Sequence, residues 1–160
     1  MRILATLLPC VLVACGGGDP ADVAGDYTIA LTNRDNGCNL ENYVEGNTST
    51  NIPVVLSQEG GTATADVMGG AGVVLDLALG SHTYEGDVDG DDLFLELFGT
   101  RSQTQGNCTF TFNSEIDASI SGDTLTGVIN YKAATVGNPD CAPLEGCVTF
   151  QEFNGTRPPQ

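Results

Sequence analysis

Four aspartates crowd one short stretch, Asp87, Asp89, Asp91 and Asp92. Hard carboxylate oxygens in such a group are the ligands that Ca²⁺ takes. The spacing fails the twelve-residue calcium loop, because Asp92 stands where that loop needs its glycine. A hairpin turning at Gly90-Asp91 would nevertheless set Asp89 opposite Asp92 and Glu85 opposite Glu96. Facing like charges destabilise a sheet, and a bound cation would relieve them. Asp87, Asp89 and Asp92 are therefore the candidate Ca²⁺ ligands, against the plainer reading of a solvated acidic face that keeps sheet edges apart. No other cofactor is indicated.

His82 is the single histidine. A Ser-His-Asp device would have to be built on it, yet the chain has no Gly-x-Ser-x-Gly elbow, and Ser81 and Thr83 suit a strand edge. No catalytic residue is assigned. Carboxylate pairs for glycoside hydrolysis have no aromatic platform beside them, since the chain contains no tryptophan.

The six cysteines divide by position. Cys10 and Cys15 lie in or at the end of an apolar run from Ile3 to Ala14, preceded by Arg2. The run is too short for a membrane-spanning helix, which needs about 20 residues, and it has the shape of an export signal. It ends in Leu12-Val13-Ala14-Cys15, which resembles the lipobox of bacterial lipoproteins: an aliphatic residue, a tolerant position, a small residue and then cysteine. The resemblance implies cleavage after residue 14 and acylation of Cys15. Several acyl chains hold a protein stably where one does not. In that family an Asp directly after the cysteine favours the inner membrane; here Gly16 follows, so an outer-membrane anchorage in the bacterial envelope is expected. The membrane is then a partner through the lipid alone.

Four cysteines remain, Cys38, Cys108, Cys141 and Cys147. An even number in an exported protein reads as two disulfides. Proximity favours Cys141 with Cys147 around a small Pro- and Gly-containing loop, and Cys38 with Cys108. Zinc is the alternative, but no CxxC pair is present.

The full chain has a formal charge of −16, and loss of Arg2 makes the exported body one unit more negative. Nucleic acid is excluded as a partner, because phosphate binding needs a basic face. Anionic head groups would repel the body too.

The elements that would carry these residues are strands. Residues 15–25 read as the lipidated cysteine and a flexible Gly- and Asp-rich tether, 26–154 as one β domain and 155–160 as an extended tail. Tyr27, Ile29 and Leu31 alternate with Thr28, Ala30 and Thr32, the pattern of a half-buried first strand. Residues 33–51 are polar and read as a long loop. Two-residue turns at Gly60-Gly61, Gly90-Asp91 and Gly122-Asp123 define three hairpins. Their registers pair Leu56 with Ala65 and Val54 with Val67; Val88 with Leu93, Gly86 with Leu95 and Tyr84 with Leu97; and Ile120 with Leu125 and Ile116 with Ile129. Apolar meets apolar throughout, and a slip by one residue would destroy the match. Residues 73–79 are apolar on both faces, which fits either a buried strand or a short helix. A last strand is expected at 148–153.

An all-β fold follows: an antiparallel up-and-down meander of about eight or nine strands, closing most simply into a barrel, with a two-sheet sandwich as the alternative. The shape resembles lipocalins and avidins. Gly25-Asp26-Tyr27 falls where those families carry Gly-x-Trp, with tyrosine in place of the tryptophan. The expected role is a non-catalytic surface, binding or structural module, with an enzyme or enzyme inhibitor acting on envelope polymers as the alternative. The 33–51 loop and the open end of the barrel are the candidate contact surfaces, and the partner, protein or small molecule, is left open. A pocket with converging polar groups would favour a small ligand; a filled interior would favour a structural role.

Overall fold

The computed structural model describes residues 18–137 and 139–159. The leader, Cys10 and the expected lipidation site Cys15 lie outside the described residues. In chain order the strands are β1 (Gly25–Asn36), β2 (Thr48–Glu59), β3 (Thr62–Val67), β4 (Thr83–Asp89), β5 (Asp92–Leu97), β6 (Gln103–Gln105), β7 (Cys108–Ser121), β8 (Thr124–Thr135) and β9 (Val148–Thr156). One α-helix, α1 (Gly69–Ala78), joins β3 to β4, and a 3-10 helix at Pro139–Leu144 precedes β9.

Neighbouring strands are antiparallel in the order β5-β4-β3-β2-β1-β9-β8-β7, and β5 pairs with β7 to close the ring. The architecture is thus a closed up-and-down barrel of eight strands, and β6 adds to the free end of β7. The barrel expected from the alternation is the observed fold, and the sandwich is not.

The three hairpins have the registers their patterns dictate. Leu56 faces Ala65 and Val54 faces Val67; Val88 faces Leu93 and Gly86 faces Leu95; Ile120 faces Leu125 and Ile116 faces Ile129. The β4–β5 ladder ends at Glu85 opposite Glu96, one pair short of Tyr84 and Leu97. Gly60, Gly90 and Gly122 each take a φ near +60° at the first turn position, a conformation costly for any residue with a Cβ. Inward positions form the core, among them Tyr27, Leu56, Tyr84, Leu93, Leu95, Ile116 and Leu125.

Several expectations are corrected. β1 continues through Asn36 and β2 starts at Thr48, so the long loop shrinks to 37–47. Polar residues extend both strands: Thr32 and Thr48 share a hydroxyl bond on the exposed pairing, while Asn33 and Asn36 accept from Gln151 and Thr149 of β9. Of the two alternatives left open for 73–79, the helix is the one observed, since Gly69–Ala78 forms α1 with Leu79 as its C-cap. The final strand runs three residues further, to Thr156, and Arg157 follows it into the body with its backbone N–H on the Asp123 carbonyl.

The tether is also shorter than expected. Ala21 donates to the Gly90 carbonyl at 2.8 Å and Val23 to Gln58 Oε1 at 2.8 Å, while Gln58 Nε2 donates to the Ala21 carbonyl. Val23 is completely buried. These residues plug the end of the barrel where the three tight turns gather. One apolar side chain among Gly, Asp and Ala leaves no periodicity to read.

Both disulfides differ from the pairing that proximity favoured. Cys38 joins Cys147 and Cys108 joins Cys141, each with Cα atoms 4.9 Å apart. The topology explains the exchange. The exit of β1 lies beside the entrance of β9, which brings Cys38 to Cys147. The exit of β8 leads into the 3-10 helix, which lays Cys141 against the start of β7 at Cys108.

Candidate functional site

The chemistry-bearing residues singled out in the sequence do not form one site. Asp87, Asp89 and Asp92 stand exposed on the outer wall of the β4–β5 hairpin, with Asp89 opposite Asp92 and Glu85 opposite Glu96 as the register requires. Among the described residues no group of three or more His, Cys, Asp or Glu side chains is arranged to hold a metal ion. Asp87, Asp89 and Asp92 thus form no assembled ligand set in this structure. Side chains that all point into water meet no common centre, and solvent screens their repulsion without a cation. His82 Nδ1 lies 2.9 Å from Asp76 Oδ1, which ties the entry of β4 to α1 at the surface.

The feature that does gather functional groups is inside. A cavity of about 490 Å³ runs up the barrel axis from Leu93 and Leu125 to the underside of α1. Its wall is aliphatic and aromatic: Leu56 and Ala65 from the β2–β3 hairpin, Leu95 and Ile116 across the closure, and Ile129 and Phe153 on the far side. The small side chain of Ala65 lines this space. At Gly86 and Gly127 a Cβ would come within 2.1 Å of the Phe94 carbonyl and 2.4 Å of the Asp117 carbonyl, so these glycines let neighbouring strands approach closely.

α1 lies across the mouth. Gly72 is buried, and a Cβ there would come within 2.1 Å of the Val67 carbonyl, so the helix approaches β3 more closely than any other residue would allow. The last turn closes by bonds from the Leu79 and Gly80 N–H groups to the Leu75 carbonyl, and Thr100 caps it through the Leu79 carbonyl. A second cavity of about 610 Å³ lies on the other side of α1, under the 37–47 loop, β6 and Leu144. Val74, Leu75, Tyr131 and Gln151 line both spaces.

Polar groups converge where the two spaces meet. Tyr84 and Ser114 share a hydroxyl–hydroxyl bond of 3.0 Å, Tyr131 donates to Gln151 Oε1 at 2.9 Å, and Gln151 Nε2 donates to Asn33 Oδ1 at 2.7 Å. Burial pushes the Tyr84 hydroxyl up to about 12 and raises Tyr131 well above the ordinary tyrosine value, so both phenols are neutral donors at physiological pH. No buried side-chain polar atom among the described residues lacks a partner.

The mouth is also where apolar surface is exposed. Val44, Met68, Val73, Val74, Leu77, Phe98 and Val136 are exposed at this end, whereas Phe94 lies on the outer wall of β5. Tyr84 could be found in the sequence, since its hairpin register already turned it inward. Gln151 and Asn33 were legible only as polar residues in phase with inward neighbours, and the strand boundaries hid Asn33 in a loop.

Comparison with known proteins adds nothing to this geometry, since no family model, no curated protein and no solved structure matches the chain.

Proposed function

We propose that the protein is a lipid-anchored envelope module that holds a small, largely apolar molecule inside its barrel. The cavity of about 490 Å³ carries the reading. Its size falls within the range of about 300–1,000 Å³ of small-molecule sites, and its lining is apolar with a few converging hydrogen-bonding groups. A barrel serving only as a spacer gains nothing from such a void, since empty apolar volume in a core lowers stability. The exposed apolar rim supports the same reading, because contiguous apolar surface marks sites of contact.

The lipobox at Cys15 supports attachment to the bacterial envelope, and Gly16 supports the outer membrane. Gly18 already touches the closed end, where a Cβ on it would lie 3.2 Å from Gly90 Cα. Three residues reach about 11 Å at most. A lipid on Cys15 thus holds the closed end toward the bilayer, and the mouth opens away from it.

Two measurements test this reading. Intact mass of the membrane-extracted protein should correspond to a chain beginning at Cys15 with fatty acyl additions; a chain retaining residues 1–14 contradicts the anchor. Solvent extraction of the native protein should release a stoichiometric apolar compound; a protein that yields none and binds no apolar dye contradicts the cavity's role.

A further inference from the structure

We infer that the cavity selects an uncharged amphiphile, a mostly hydrocarbon molecule with one hydroxyl or carbonyl group, and that Gln151, positioned by Tyr131, holds that group beneath α1. The inference deepens the proposed binding role and rests on it.

Charge makes the first selection. Among the described residues, no Asp, Glu, Lys, Arg or His lines the inner cavity, and the only charged residue lining the outer one is Glu41. A carboxylate or ammonium entering the barrel would lose its water and meet no counter-ion, a cost of several kcal/mol that an uncharged group does not bear. The described cations are engaged elsewhere: Arg34 with Glu152, Lys132 with Glu115, Arg157 with Asp123, and Arg101 with the Asp76 carbonyl. The net charge of −16 repels an anion before it arrives.

Hydrogen bonding makes the second. The Gln151 amide has two N–H donors and two acceptor lone pairs. Asn33 takes one donor and Tyr131 one lone pair, which leaves one of each. A hydroxyl, which both gives and accepts, matches that remainder, and a carbonyl uses the N–H alone. Gln151 lines both cavities, so the polar group of a ligand lies at their junction. Its hydrocarbon part lies below, against Leu56, Leu95 and Phe153. A pure hydrocarbon would leave the junction unused.

The test uses residues 16–160, which carry every described strand, the helix and both disulfides, with melting and near-UV circular dichroism to verify the fold. An uncharged aromatic dye is displaced in turn by 1-decanol, decanoate and decyltrimethylammonium at pH 8. Decanol should displace it at a concentration at least about tenfold lower than either ion. Gln151→Leu and Tyr131→Phe should each narrow that gap about fivefold or more while the dye still binds. Displacement by decanoate or the ammonium at equal or lower concentration overturns the inference and leaves the binding role standing, as does an unchanged gap in both variants. A protein that binds neither dye nor any of the three overturns the binding role together with the inference.

Discussion

At one end of the barrel, two-residue turns join β2 to β3, β4 to β5 and β7 to β8; at the other, the connections run over 37–47, 68–82, 98–107 and 136–147. The short-turn end is closed by side chains. Val23 is buried, Tyr27 donates to the Val23 carbonyl, and the Arg157 guanidinium stacks 5.8 Å over the Tyr27 ring while bonding the Ala24 carbonyl. The long-connection end is held by covalent bonds instead, Cys38 to Cys147 and Cys108 to Cys141. It keeps a cavity below and apolar side chains above. Tight turns leave so little chain that one short segment can seal them with ordinary packing. Long connections leave backbone and apolar surface that packing alone does not order, and disulfides fix them without filling the space they enclose.

The largest effect should come from unsealing the closed end. Tyr27→Ala removes a buried ring, its hydroxyl bond and the seat of Arg157, and should lower stability by about 3–5 kcal/mol in urea titration. A loss below about 1 kcal/mol would mean that the plug is not structural. At the other end, replacing Cys108 and Cys141 together by serine opens a link between residues 33 apart. It should cost about 2–4 kcal/mol. Hydrogen exchange should then rise in 98–107 and 136–147 but not around Val23, and equal loosening of both ends would erase the distinction drawn between them.

A smaller effect comes from the tyrosines below the mouth. Both hydroxyls titrate above the ordinary value of 10.0, Tyr84 at about 12. Below pH 10 the folded and unfolded chains both keep these protons. Above it the unfolded chain loses them first, so stability should fall as the pH climbs from 10 toward 12, by about 1.4 kcal/mol per unit for each phenol. Tyr84→Phe should flatten part of that slope in pH-dependent melting; an unaltered slope would place the titration elsewhere. The smallest effect belongs to the outer face of α1. Leu77 is 72 % exposed, so Leu77→Lys should change the melting free energy by about 0.5 kcal/mol or less. A large loss would show that the face is packed in solution.

The same contrast governs what the residues revealed before the fold was known. The closed end was legible because each turn carries a glycine and each flanking strand alternates, so Ile120 opposite Leu125 or Leu56 opposite Ala65 follows from local order alone. The mouth was not. Cys38 finds Cys147 across 109 residues because β1 and β9 close the ring, a fact of topology that no local pattern carries. Residues 73–79 are apolar but for Asp76, because α1 touches barrel, cavities and solvent at once, so no single period marks them. The aspartates are the densest charged group, yet they face water, whereas the hydrogen-bonded polar residues around the cavities are neutral and scattered over β1, β4, β7, β8 and β9.

The central claim is that the barrel holds its ligand in the space between Leu56, Ala65, Leu95 and Phe153. Ala65 is 3 % exposed and lines that space, so Ala65→Phe places a ring inside it. Titration of an uncharged aromatic dye should show one site in the wild-type protein and at least about a tenfold loss of affinity in Ala65→Phe, with the β-barrel circular dichroism retained. Undiminished dye binding in a folded Ala65→Phe protein would contradict the account.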